Sequence, residues 1–121
     1  MKTILVVDDF ASVRFFHQSL LKQAGFATLP APDGVEALAM LEKHPIDLIV
    51  LDLLMPKMNG VDFIQRIRAD ARFAKLPILV ITSEAQNEQA KKLQGAPGIS
   101  VMAKPILPAA LIQDVRRLLP A

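Results

Sequence analysis

The 121-residue chain contains no cysteine, no tryptophan and no tyrosine. Without a thiol it can form neither a disulfide nor a thiolate-bound metal site. It has two histidines, His17 and His44, and neither has a partner at ligand spacing, so both read as surface residues. No apolar run approaches the ~20 residues a membrane helix needs, and the short apolar stretch before Asp8 falls below what a secretory leader requires. Charge of neither sign dominates. Fourteen Lys and Arg face twelve Asp and Glu, for a net +2, and no basic run exceeds two residues. That balance argues against nucleic acid as a partner. No linker, repeat or low-complexity tract divides the chain. The expectation is a single soluble domain spanning 1–121, with roughly two-thirds of its unfolded surface buried.

What is present is alternation, in a composition that is 52% hydrophobic and 21% charged. "TILVV" (3–7) is a β-branched run ending at Asp8-Asp9, the pattern of a strand buried on both faces. Ser12 reads as an N-cap for a helix carrying Val13, Phe16, Leu20 and Ala24, stopped by Gly25. "FATLPA" is a weaker strand whose Pro30 suits an edge. "DGVEALAMLEKHP" gives a helix with Val35, Leu38 and Leu41 inward. "DLIVLD" (47–52) is the most apolar strand, followed by a loop and a helix with Val61, Ile64 and Ile67. "LPILVITS" is a fourth strand, 84–94 a weakly amphipathic helix, "ISVMAKP" a short fifth strand, and "PAALIQDVRRLLP" a helix burying Leu111, Val115 and Leu118. Five strands alternating with five helices imply a doubly wound parallel sheet covered on both faces.

The informative residue is Asp52, a lone carboxylate between Leu51 and Leu53. Burying a charge there is costly unless it is paired. It could merely end a strand. In open α/β sheets, however, ligands bind beyond the carboxyl ends of the strands, where strand order reverses. Asp8-Asp9, Asp52, Thr82-Ser83 and Lys104-Pro105 occupy four of the five strand ends. With the first and third strands adjacent, three carboxylates converge. Two like charges ~4 Å apart repel by about 4 kcal/mol at an effective dielectric near 20, and a single Lys104 does not offset three such pairs. A hard divalent cation would, and oxygen-only donors favour Mg²⁺ or Mn²⁺ over zinc. A cation, an amine and a hydroxyl together suit a phosphoryl group, with a carboxylate as nucleophile forming an acyl phosphate.

The set "VVDDF…LDLLMPKMNG…ILVITSEA…VMAKP" resembles the receiver domain of bacterial two-component response regulators across essentially the whole chain. "VVDDFASVRFFHQSLLKQAGF" and the single-domain length resemble the chemotaxis branch. The resemblance implies a flavodoxin-like fold with strand order 2-1-3-4-5. It also implies that Asp52 is the phosphoacceptor. Asp9, Asp52 and the backbone carbonyl of Leu54 would ligate Mg²⁺, with Asp8 acting mostly through water. Thr82 follows the phosphoryl group as a switch, Lys104 pairs with it, and Lys104-Pro105 is a cis peptide. The implied partners are a sensor histidine kinase or histidine phosphotransfer protein, and a downstream target at the face of helix 4, strand 5 and helix 5. The implied location is cytoplasmic.

Two positions depart from the family. Val101 stands where many members carry an aromatic, three residues before the lysine, so a Thr-to-aromatic relay cannot operate and that face is expected to change less on phosphorylation. Leu54, two after Asp52, is apolar and should hinder water attack on an acyl phosphate; Glu84 could oppose this. Met55, Met58 and Met102 read as gap-filling residues, and Lys91-Lys92 as a solvated face. Setting aside Asp8, Asp9, Asp52 and Lys104 leaves 13 basic against 9 acidic residues, a mildly positive surface suited to an acidic helix. The leading expectation is a phosphorylation-dependent switch that catalyses its own phosphorylation. The alternatives are a phosphate sink or relay intermediate and, from a different class, a flavodoxin-like FMN binder. The FMN binder is disfavoured by the acidic first turn, because a flavin phosphate seeks backbone amides at a helix N-terminus.

Overall fold

The computed structural model describes residues 1–53, 58–83 and 88–119. Among these, five strands and five helices alternate: β1 (Thr3–Val7), α1 (Ala11–Gln23), β2 (Ala27–Ala31), α2 (Gly34–Lys43), β3 (Leu48–Asp52), α3 (Gly60–Arg68), β4 (Ile78–Thr82), α4 (Glu88–Leu93), β5 (Ile99–Ala103) and α5 (Pro108–Leu118). The strands form one parallel sheet in the order β2-β1-β3-β4-β5, as expected. β2 is an edge, so Pro30, which has no N–H to donate, takes no hydrogen bond out of a central ladder.

Strand alternation divides the core into two layers. Ile4 and Val6 of β1 pack with Val50, Leu79 and Ile81 beneath Leu21 of α1 and Leu111 and Val115 of α5. Leu5 and Val7 face the other way, with Leu51 and Val80, against Ala37 and Leu41 of α2, Phe63 and Ile67 of α3, and Ala90 of α4. β1, β3 and β4 are therefore apolar on both faces, which explains why they read as continuous runs.

The helices hold several corrections. α1 begins at Ala11 with Phe10 at the cap and no side-chain cap bond, so Ser12 is not the N-cap. The Asp8 carboxylate already serves this turn by accepting the Phe10 N–H at 2.9 Å. The inward stripe of α1 centres on His17 and Leu21, leaving Phe16 47% exposed. His17 is thus a core residue, 3% exposed, and not the surface histidine expected. In α2 the Asp33 side chain caps the helix by accepting from the Glu36 N–H. Val35, expected inward, is exposed, and Ala37 and Leu41 make the contact. Leu118 is only partly buried. The start of the helix expected over 84–94 lies outside the described residues, and α4 is described from Glu88.

Gly25 ends α1 with φ at +100°, a conformation that needs glycine. Gly60 is required for a different reason. Its N–H donates to the Leu53 carbonyl at 2.8 Å, and a Cβ there would lie 2.8 Å from the Leu53 Cα. The first turn of α3 is therefore pressed against the backbone just beyond Asp52.

Candidate functional site

Register sets the site. Val7 pairs with Leu51, which brings the residues after them, Asp8 and Asp52, to the same level. Asp52 in turn pairs with Ile81, and Thr82 with Ala103, so Thr82 and Lys104 stand each a step further along the sheet edge. The Lys104 N–H donates to the Thr82 carbonyl at 2.9 Å and ties these ends together, and the Lys104-Pro105 peptide is cis, as expected.

One carboxylate oxygen from each of Asp8, Asp9 and Asp52 lies within 4.8 Å of the others. Asp8 and Asp52 are buried, at 2% and 6% exposure, and Asp9 is half-buried. The Lys104 ammonium sits 3.4 Å from Asp52 Oδ2 and 3.6 Å from Asp8 Oδ2. Among the described residues one amine faces these three carboxylates, an acidic excess in a setting where burying charge is expensive. Asp9 Oδ1 is buried and has no hydrogen-bond partner among the described residues. An orphaned acceptor beside two further carboxylates fits a cation site. Opposite oxygens around a single Mg²⁺ stand about 4.2 Å apart, so oxygens within 4.8 Å of one another need only a small closure to share one ion, and their all-oxygen chemistry suits a hard cation.

Thr82 is fully buried at the end of β4. Leu54, expected to supply a carbonyl ligand, and Glu84, expected to influence water, lie outside the described residues. Asp33 is buried at the neighbouring strand end, but it serves as the α2 cap and does not belong to the carboxylate cluster.

Two residues near the site escaped sequence reasoning. Arg14 donates from Nη1 to the Asp8 carbonyl at 2.7 Å, a side chain-to-backbone contact that no sequence spacing announces. His17 faces inward one turn below. Burial lowers its pKa; the Asp8 carboxylate opposes that shift and the Lys104 ammonium reinforces it. Its burial was readable in principle, since Val13, Leu20, Leu21 and Ala24 surround it on the helical wheel.

A shallow groove lined by Leu38, Glu42, Arg66, Asp70 and Phe73 lies at the opposite, helix C-terminal end of α2 and α3. Its two carboxylates are paired locally, with Arg72 bridging Glu42 at 2.6 Å and Asp70 at 2.8 Å. It has no part in the carboxylate chemistry.

Residues 4–116 match the family described as response regulator receiver domain. The chain is 40% identical over 116 residues to chemotaxis protein CheY-3 of Vibrio cholerae, covering 95% of this chain and 89% of that one. Its structure superimposes on that of Vibrio cholerae chemotaxis protein CheY4 with a TM-score of 0.90 at 33% identity, covering 98% and 99% of the two chains. It also matches the receiver domain of a sensor histidine kinase from Pseudomonas aeruginosa PAO1, with a TM-score of 0.86 at 25% identity over 97% and 96% of the chains. That structure has a magnesium ion coordinated in its active-site cleft.

Proposed function

Because the chain belongs to the response regulator receiver family, it is a phosphorylation-dependent signalling switch of the chemotaxis kind, and we propose that Asp52 is its phosphoacceptor. The observation that carries this reading is the Asp8, Asp9, Asp52 cluster with Lys104 bridging two of its members. Mg²⁺, with Mn²⁺ as a substitute, would be held by Asp9 and Asp52, with Asp8 acting chiefly through water and the Leu54 carbonyl as a further ligand. Bound there, the ion neutralises phosphoryl oxygens.

The protein's own part follows from its geometry. A carboxylate oxygen of Asp52 attacks the phosphorus of a phosphohistidine whose other ring nitrogen is protonated; the P–O bond forms, the P–N bond breaks with its electron pair on nitrogen, and neutral imidazole leaves. Lys104, already within 3.4 Å of Asp52 Oδ2, exchanges its carboxylate contact for a phosphoryl oxygen. The Thr82 hydroxyl donates to another oxygen, and this pull on the end of β4 couples phosphorylation to the neighbouring surface. Positioning and charge neutralisation supply the catalysis.

The donor is a sensor histidine kinase or histidine phosphotransfer protein, encountered in the cytoplasm. The output is protein binding at the α4–β5–α5 face. The chemotaxis names of the relatives favour such output over a phosphate sink. Val101 is half-buried, pairs with Val80 and packs into the α2–α4 core layer, which supports a response at this face quieter than an aromatic would give. Large amide shift changes across 90–115 on activation would contradict that part. No helix of the described residues is long and apolar enough to cross a membrane.

The test is incubation with acetyl phosphate and Mg²⁺ followed by intact mass. Wild type should gain one phosphoryl unit and lose it under hydroxylamine, whereas Asp52→Asn or wild type with EDTA should gain none. An equal gain in Asp52→Asn would refute the assignment.

A further inference from the structure

Arg14 lies in the first turn of α1, and its guanidinium makes one hydrogen bond among the described residues, from Nη1 to the Asp8 carbonyl at 2.7 Å. No carboxylate of the described residues pairs with it. That carbonyl belongs to the planar peptide joining Asp8 to Asp9, so a bond to it fixes the orientation of the plane between two members of the acidic cluster. Asp8 is held on every other side as well. Its N–H donates to the Ala31 carbonyl at 3.1 Å, its Oδ1 accepts from the Phe10 N–H at 2.9 Å, and its Oδ2 faces Lys104 at 3.6 Å. Asp9, on the far side of the clamped peptide, has the buried oxygen without a partner among the described residues.

We propose that Arg14 is a positioning residue for the cation site: by clamping the Asp8–Asp9 peptide it aims the Asp9 carboxylate at the metal. This rests on the reading of the cluster as a Mg²⁺ site. Charge alone argues for the opposite sign. A guanidinium close to a divalent cation repels it, so removing Arg14 would tighten Mg²⁺ binding if electrostatics were its whole effect. Positioning requires that removal weaken it.

The experiment is calorimetric titration of the full chain with Mg²⁺ at fixed ionic strength, comparing wild type, Arg14→Met, Arg14→Lys and Asp9→Asn, with thermal melts by circular dichroism to report folding. Loss of a residue that orients a ligand weakens metal binding by about tenfold or more, which is the result expected for Arg14→Met. Arg14→Lys, whose ammonium can donate to the same carbonyl, should restore affinity to within about threefold of wild type. Asp9→Asn should abolish binding. Where Arg14→Met does not fold, Arg14→Gln, whose amide is too short to reach the carbonyl, carries the same expectation. Wild-type protein that takes up no Mg²⁺ overturns the reading of the site and this inference with it. Wild-type binding together with unchanged or tighter binding by the Arg14 truncation overturns the role of Arg14 alone.

Discussion

Lys104 Nζ lies 3.4 Å from Asp52 Oδ2 while remaining 3.6 Å from Asp8 Oδ2, so one amine spans two buried carboxylates on adjacent strands. Its side chain keeps a quarter of its surface in solvent. The pair is therefore neither a surface ion pair of negligible worth nor a sealed one, and the lysine is free to change partner.

Lys104→Met takes away the ammonium that Asp8 and Asp52 share. Breaking a buried pair costs about 3–5 kcal/mol, and partial solvent access to the amine reduces this to about 1–3 kcal/mol. Urea unfolding of the metal-free variant measures it. The rate of acetyl phosphate incorporation should fall by about tenfold or more, as expected for loss of a group that neutralises transferring oxygens. Retention of the wild-type rate would remove Lys104 from the chemistry.

Asp9→Asn should act in the other direction on the metal-free protein. Removing one of three clustered charges relieves repulsion, so the thermal midpoint in EDTA rises by a few degrees, on the order of 1 kcal/mol. Added Mg²⁺ then stabilises wild type in proportion to the logarithm of its concentration and leaves the variant unchanged. Parallel rises in both proteins would place the cation elsewhere.

Gly60→Ala tests how tightly the turn beyond Asp52 is set. The added methyl would meet the Leu53 Cα at 2.8 Å, and because the clash is with backbone, a side-chain rotation cannot relieve it. The expected loss is about 1–3 kcal/mol by urea denaturation, accompanied by weaker Mg²⁺ binding as Leu53 is displaced next to Asp52. A variant as stable as wild type would mean that this turn gives way freely.

His17 makes stability depend on pH. Burial places its folded-state pKa below the ordinary value of 6.5, so the unfolded chain takes up a proton that the folded one resists. Its contribution is present in full above about pH 6.5 and is lost as pH falls through the folded-state pKa. His17→Leu should therefore lose less stability than wild type between about pH 7.5 and pH 5.5, read as the change in urea midpoint. Identical losses would show that His17 becomes charged in the folded protein as easily as in the unfolded one.

The fold and the heart of the site were legible because they depend on patterns of short range. β1, β3 and β4 announce themselves as apolar runs, and a parallel sheet sends every strand's next residue to one edge; Asp8, Asp52, Thr82 and Lys104 follow from that geometry alone. The helix faces were less legible. A stripe read from Val13 and Phe16 is off by about one residue from the true one, because a histidine counts as polar in the pattern even where packing encloses it, as it does His17. The Arg14 contact was invisible because its acceptor is a backbone carbonyl, a group every residue possesses. The cap at Phe10 was missed for a related reason: the carboxylate of Asp8, outside the helix, takes the N–H that a cap residue would be sought for.

The most direct measurement is reductive trapping. Wild-type protein incubated with acetyl phosphate and Mg²⁺ is reduced with borohydride, which converts an aspartyl phosphate to homoserine, and the peptides are sequenced by mass spectrometry. The account predicts homoserine at position 52 and unmodified aspartate at positions 8 and 9. Homoserine at either of those two positions, or none anywhere in a chain that has gained the phosphoryl mass, would contradict it.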